Sequence, residues 1–229
     1  MGEAIQVGIV TDKFEVQQYV NIADKNYVDD YTCQRAKECF KRCFKSWRCD
    51  LRLGREVYIS SEEAPRRLKR GEFVTIKPGD FVLLLTRENL NLPDDVMGFI
   101  SMRFDYKEKG LINVSGFHVD PNYHGKLIFS AFNAGPKDIV LRESDPVFMI
   151  FFERMQFTST ESGKGPEVRF GFNHIPAKMV EEIQGKSVTL SANSNRLDRM
   201  EFYMKVMGGI IIAGGVSFIG FGIKKLLGA

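Results

Sequence analysis

Few side chains in this sequence are placed to do chemistry. Cys33, Cys39, Cys43 and Cys49 follow a C-x5-C-x3-C-x5-C spacing. Structural zinc sites pair their cysteines more tightly, so this spacing predicts free, partly buried thiols in a reducing compartment rather than a metal cluster. His118, His124 and His174 stand singly and add no ligand pair. Asp120 precedes Pro121 and Asn122. A carboxylate in that setting either starts a turn or meets a ligand. The phosphate-loop pattern G-x-x-x-x-G-K-[ST], the dinucleotide pattern G-x-G-x-x-G, the nucleophile elbow G-x-S-x-G and the zinc deaminase pattern are all missing, which disfavours the corresponding enzyme classes.

The elements that would position these residues are mainly strands. The chain has 229 residues, 44% hydrophobic and 27% charged. That is an ordinary globular balance and excludes a disordered, collagen-like or polytopic membrane chain. At about 150 residues per domain it holds one to two domains. The net charge of +3 is too small to argue for a nucleic-acid partner. Short apolar runs at Val57–Ser60, Phe73–Ile76, Phe81–Thr86, Val96–Met102, Leu111–Ser115, Lys126–Asn133, Ile139–Leu141 and Val147–Phe152 alternate with Pro-, Gly- and Asp-rich turns. This predicts a sandwich or distorted barrel of short strands. Ahead of it, Ala36, Phe40, Cys43, Phe44 and Trp47 recur at helical spacing among basic residues, which predicts an N-terminal helix. Residues 158–175 read as a loop.

The N-terminus has no basic, apolar signal pattern. The C-terminal end is unusual. Val206–Ile223 runs for 18 residues without a charge, with Lys205 before it and Lys224 and Lys225 after it. As a helix it is about 27 Å long, close to the roughly 30 Å hydrocarbon core. Gly209, Ala213 and Ser217 share one face and form a small-residue seam. The expectation is a single C-terminal span that holds the folded domain in the cytoplasm, with membrane lipid as a partner; a buried core helix, or a Gly-rich tail packed in an oligomer, is the alternative. Leu190, Asn193, Leu197, Met200, Met204 and Met207 have 3-4-3-4-3 spacing. They predict either a short coiled-coil stem or a helix lying on its own domain.

Several segments of the β region resemble the dCTP deaminase branch of the trimeric dUTPase superfamily. They are Asp50-Leu51-Arg52-Leu53-Gly54, Ile76-Lys77-Pro78-Gly79-Asp80-Phe81, Leu90-Asn91-Leu92-Pro93 with Gly98, and Phe117-His118-Val119-Asp120-Pro121-Asn122-Tyr123-His124-Gly125. The last is similar to the family's I-D-P-G-(aromatic)-x-G loop. The resemblance runs from about residue 50 to 155. It implies a mainly β fold, a dUTPase-like distorted barrel or jelly roll, here with N-terminal helices, a C-terminal stem helix and one transmembrane helix. It also implies a homotrimer, a deoxyribonucleoside triphosphate or related small ligand, and Mg²⁺ on the phosphates if a triphosphate binds; no metal site of the protein's own is expected. The expected organisation is an N-terminal helical region (1–48), the deaminase-like β domain (49–157), a loop and lid-like segment (158–189), the stem (190–205) and the membrane helix (206–227).

Carried over residue by residue, the resemblance is incomplete. The family's phosphate motif, R-S-S-x-x-R-x-G-L, falls on Arg103 to Leu111. Arg103, Gly110 and Leu111 match, but Phe104, Asp105 and Glu108 replace the two serines and the second arginine. A hydroxyl and an arginine fork donate to phosphate oxygens, whereas carboxylates repel them; Lys107 or Lys109 can substitute only as point charges. The proton-handling glutamate of the family falls on Ser130. The implied nucleotide-binding set is therefore Arg103, Lys107, Gly110, Asp120, Tyr123, Ser130 and Gln184, the last from a Gln184-Gly185 pair similar to the deaminase lid. Three readings stay open: a nucleotide-binding domain with lost or altered catalysis, an active divergent deaminase or dUTPase that uses Asp120 or Glu108 as its carboxylate, and a scaffold without a ligand.

Overall fold

The computed structural model describes residues 8–10, 16, 18–21, 44–45, 47–155, 166–183, 197 and 199–210. The chain forms two compact units, Met1–Lys186 and Ser187–Ala229. The first unit is mainly β. Its strands in chain order are β1 (Gly8–Ile9), β2 (Val20–Asn21), β3 (Phe44–Lys45), β4 (Arg48–Ile59), β5 (Arg66–Arg67), β6 (Phe73–Ile76), β7 (Phe81–Thr86), β8 (Asn89–Asn91) and β9 (Val96–Met102). A single turn of helix, α1 (Phe104–Lys107), leads to β10 (Leu111–Asn113), β11 (His118–Val119), β12 (Tyr123–Gly125), β13 (Ile128–Asn133), β14 (Ile139–Arg142) and β15 (Pro146–Arg154). β16 (Arg169–Phe170) and α2 (Ala177–Ile183) follow.

The largest sheet has ten strands in the main order β10-β13-β7-β4-β15-β9-β11, with β1 beside β15 and β3 and β5 beside β4. Smaller sheets are β16-β12-β8-β2 and β14-β6. The large sheet curls. The rings of Phe129 on β13 and Phe148 on β15 stack with centroids 3.9 Å apart, although β7 and β4 lie between their strands. At about 4.8 Å per strand, a flat sheet would keep those strands some 14 Å apart.

β4 sets this curl because it serves two neighbours in turn. Cys49, Asp50 and Leu51 pair with Ile150, Met149 and Phe148 of β15, and Val57, Tyr58 and Ile59 pair with Leu84, Leu83 and Val82 of β7. The register shifts on both sides near the middle of the strand. Gly54 sits at that shift, where an added Cβ would come within 2.8 Å of the Leu85 and Thr86 carbonyl oxygens. The close crossing excludes a side chain there. β7 is buried on both faces, which is why its apolar run is unbroken rather than alternating. Val82 and Leu84 join the main core inside the curl. Leu83 and Leu85 pack with Tyr58 under Ile175 and Val180 of the α2 segment.

The runs at 73–76, 81–86 and 96–102 are strands with the expected bounds, and the others are strands with shifted ends. Two expectations are corrected. Phe44–Lys45 is a strand and Trp47 lies in its turn, so the helical spacing through Phe44 and Trp47 is not a helix. Trp47 meets the ring of Phe151 instead, and the tight β3–β4 hairpin overrides the periodicity. Residues 158–175 are not all loop, since β16 pairs with β12. Residues 199–210 are helical throughout. Among the described residues no helix is long and apolar enough to cross a membrane. Most of 206–227, with Ala213 and Ser217, lies outside the described residues, as do Gln184 and Cys33, Cys39 and Cys43. Of the helices expected in 1–48, the described residues include helical backbone at 16, 18 and 19.

Asp145 offers a check on the packing at the β14–β15 turn. Burial raises its carboxyl above the ordinary value, with Arg142 opposing and Glu143 adding. A carboxyl raised by folding favours the native state when protonated and works against it when charged. Asp145→Asn is therefore expected to raise the unfolding midpoint at neutral pH. The gain should disappear as pH falls below the ordinary carboxylate range, which thermal melts at a series of pH values will show.

Candidate functional site

Two clusters hold the residues of interest. The first is built at the end of β9. Asp50 is buried on β4, and a buried carboxylate must be paired. Arg103 extends from the last residue of β9 with φ −65° and ψ 147°, caps α1 without a side-chain bond to it, and turns its guanidinium back. Its Nη1 donates to Asp50 Oδ2 at 2.9 Å and its Nη2 to Asp105 Oδ2 at 2.8 Å. Arg48 Nε donates to the other oxygen of Asp50 at 3.2 Å. Both arms of the Arg103 fork are thus engaged by carboxylates.

Around it, Lys107 Nζ donates to Ser101 Oγ at 2.6 Å. Glu108 is exposed, and its backbone N–H closes α1 on Phe104 O. Phe104 is 71% exposed. Tyr106 lies against the core, and burial pushes its hydroxyl up, Asp145 adding and Arg103 opposing. Gly110 has φ +98°, and a Cβ there would fall 2.5 Å from Gly135. Glycine at 110 is required by the turn and the crossing alone.

The second cluster surrounds the turn between β11 and β12. Asp120 Oδ1 lies 3.4 Å from His118 Nε2, and Arg169 Nε lies 3.1 Å from Asp120 Oδ2. Asn122 adopts φ +57°, a left-handed conformation that Asn tolerates better than most residues. Its Nδ2 donates to Pro166 O at 2.8 Å, and its carbonyl accepts from Arg169 N at 3.0 Å. Gly171 N–H donates to His124 O. Residues 166–172 thus strap the loop from the side. Tyr123 donates its hydroxyl to Lys126 O at 2.7 Å, and burial holds that hydroxyl in its protonated form. A cleft of about 390 Å³ opens next to this loop, lined in part by Tyr19, Asn91, Leu92, Asn122, His124 and Arg154.

Ser130 lies on β13 opposite Leu83. Its backbone N–H donates to Ser115 Oγ at 3.3 Å, and its carbonyl accepts from Val114 N and Ser115 N. Arg103 belongs to the first cluster, Asp120 to the second, and Ser130 to neither among the described contacts. β11 pairs with β9 through His118 and Phe99, which sets the two clusters on adjacent strands. Gly209 is helical and exposed, with open space around its Cα. Among the described residues no group of three His, Cys, Asp or Glu side chains could hold a metal by itself.

Sequence reasoning did not find Arg169 as the partner of Asp120, because the two are far apart in the chain and nothing in either segment signals the contact. The role of Asp50 as anchor for Arg103 was also not legible, although Asp50 lies in a quoted motif.

A curled β domain with an Asp-Pro turn beside a strand-end arginine defines a class of protein, and the comparisons give its family. The dCTP deaminase-like family profile matches residues 48–155. The chain is 33% identical over 116 residues to a dCTP deaminase of Pyrococcus abyssi, covering 51% of this chain and 73% of that one. It is 36% identical over 107 residues to a dCTP deaminase of Thermococcus kodakarensis, covering 47% and 67%. The chain belongs to the dCTP deaminase-like family. Among solved structures, it resembles 2'-deoxycytidine 5'-triphosphate deaminase from Agrobacterium tumefaciens with a TM-score of 0.49 at 15% identity, covering 65% of this chain and 49% of that chain, about half its length.

The turn itself is testable. Asn122→Gly keeps the left-handed backbone free of strain but loses the bond to Pro166, so it should cost about 1 kcal/mol. Asn122→Val loses the same bond and should destabilise by about 1–2 kcal/mol more for the left-handed backbone. Urea unfolding of the two variants measures the difference.

Proposed function

We propose that this domain binds a deoxyribonucleoside triphosphate, or a related small ligand, and has lost deamination. The observation that carries the loss of deamination is Ser130, whose hydrogen bonds among the described residues run through its backbone to Val114 and Ser115. Attack of water at C4 of cytosine needs a group that takes and returns a proton, and an alcohol without a base is poorly suited to that. The Arg103 fork already holds Asp50 and Asp105, so neutralisation of phosphate falls to the exposed lysines 107 and 109, which act as point charges. Asp120, held by His118 and Arg169 on its strapped turn, is the carboxylate we read as meeting the ligand. A bound triphosphate would bring Mg²⁺ on its own oxygens, with at most one or two carboxylates completing the shell.

The test is turnover and binding by the full chain. With dCTP or dUTP and Mg²⁺ the unfolding midpoint should rise, by about 2.7 kcal/mol of stability at a hundredfold excess over Kd. Neither dUTP nor dUMP should be released. Product formation at enzyme-like rates would overturn the loss of catalysis, and no shift would favour the scaffold reading.

A second reading is favoured by the His118–Asp120 contact and by the names of the relatives: an active, divergent dCTP deaminase or dUTPase with Asp120, or less directly Glu108, as its carboxylate. On that reading Asp120→Asn abolishes turnover and leaves the assembly intact.

We further read the chain as a homotrimer. Ile112, Val114, Phe117 and Phe132 are exposed on and beside β10, β11 and β13, more apolar surface than single scattered residues would leave. Sedimentation velocity is expected to give three times the chain mass of 26.1 kDa; a monomer would refute it. The C-terminal apolar stretch, which includes Gly209, Ala213 and Ser217, is read as the membrane-associating part, with the β domain on the cytoplasmic side. Its uncharged composition and flanking lysines support this.

A further inference from the structure

Arg169 differs from the arginines of the first cluster in what its guanidinium has left to offer. Arg103 holds a carboxylate on each terminal arm. Arg48 gives its Nε to Asp50 and lies over the Trp47 ring at 5.2 Å. Arg169 spends only Nε, which lies 3.1 Å from Asp120 Oδ2. A guanidinium has a second, outer edge formed by Nη1 and Nη2. That edge of Arg169 has no partner among the described residues, and the side chain is 63% exposed.

The strap holds this arginine in place without needing its ion pair. Arg169 N–H donates to Asn122 O, Gly171 N–H donates to His124 O, and Lys126 and Phe172 exchange both backbone bonds. Further along, Ile175 is buried and its N–H donates to Glu56 Oε1 at 2.8 Å. An ion pair as exposed as Arg169 with Asp120 adds little to stability. What the contact does is aim a long side chain in one direction before a ligand arrives, which lowers the ordering cost of binding. It also answers a charge problem. Asp120 unpaired would repel a phosphate, but here Arg169 faces Oδ2 and His118 Nε2 lies 3.4 Å from Oδ1. The lysines near α1 cannot do the same work. Lys107 Nζ donates to Ser101 and Lys109 Nζ lies over the Tyr106 ring, and neither offers a planar fork for two oxygens of one phosphate.

We propose that Arg169 grips the phosphate chain of the bound nucleotide with its Nη1–Nη2 edge while its Nε keeps hold of Asp120. This rests on the nucleotide reading above and adds to it a binding residue on the strap, outside the residues 48–155 that the family profile matches.

The experiment measures binding of dCTP with Mg²⁺, and of deoxycytidine, to the full chain by calorimetry and ligand-observed NMR. The variants are Arg169→Gln, Arg169→Lys and, as a control that loosens the strap but keeps the arginine, Asn122→Gly. Arg169→Gln is expected to weaken dCTP binding about tenfold or more, the loss that goes with a charge-assisted bond, and to leave deoxycytidine binding within about twofold. Arg169→Lys should recover part of the dCTP affinity as a point charge, and Asn122→Gly should leave it close to that of the unmodified chain. An unchanged dCTP affinity in Arg169→Gln would overturn the proposal, because the phosphates would then be held elsewhere. So would an equal loss for dCTP and deoxycytidine, or a loss matched by Asn122→Gly, since either would mean that Arg169 only holds the strap. Should Arg169→Gln fail to fold, Arg169→Lys decides, and full dCTP affinity in that variant would overturn the fork. If the unmodified chain binds no dCTP, the nucleotide reading itself fails, and this proposal with it.

Discussion

Asp50 carries a negative charge into the interior of the sheet, and much of the local architecture is a response to it. A carboxylate that deep must be matched by cations with good geometry, because an unpaired charge out of water is far more costly than any neighbouring packing contact is worth. Arg48 reaches one oxygen along the strand, and Arg103 reaches the other from the end of β9. The second contact fixes where β9 stops and where α1 begins. It also fixes the direction of the Arg103 guanidinium, whose remaining arm takes Asp105 from the first turn of α1. Arg103 is thereby part of the frame of the domain.

The same strand shows how a local exception shapes the domain. β4 leaves β15 and joins β7 at a shift in register, and Gly54 lets the backbones cross closely there. Buried Glu88 holds the adjacent turn, accepting from both the backbone N–H and the Nε of Arg52 at 2.7 Å. With the strand locked at its bend, the sheet can curl until Phe129 meets Phe148. The Asp120 turn is held in a different way. It is short, it uses a left-handed asparagine, and it depends on a strap from beyond the barrel strands, through Pro166, Arg169 and Gly171.

Particular residues show how far the sequence could be read. The runs at Phe73, Phe81 and Val96 gave strands with correct ends, because β-branched and aromatic residues were bounded by turn chemistry. The segment from Ala36 to Trp47 misled because helical spacing of apolar residues is only a pattern, and at Phe44 and Trp47 a hairpin contact with Cys49 and Phe151 outweighed it. The short strands β11, β12 and β16 left no periodic signal at all, since a period cannot be read from two or three positions. That both arms of the Arg103 fork would be occupied was not legible, because neither Asp50 nor Asp105 signals the contact in its own segment.

By itself, the sequence determined the mainly β class, the turn positions and the family, all of which depend on local residue chemistry or on order along the chain. Only the tertiary structure decided that Arg103 answers a buried Asp50, that Arg169 answers Asp120, and that one strand bends the whole sheet. The physical reason is that burial and pairing are properties of positions in space. A charge is costly or stabilising according to what lies within a few ångströms of it, and residues 49 to 53 positions apart carry no local signal that they will meet.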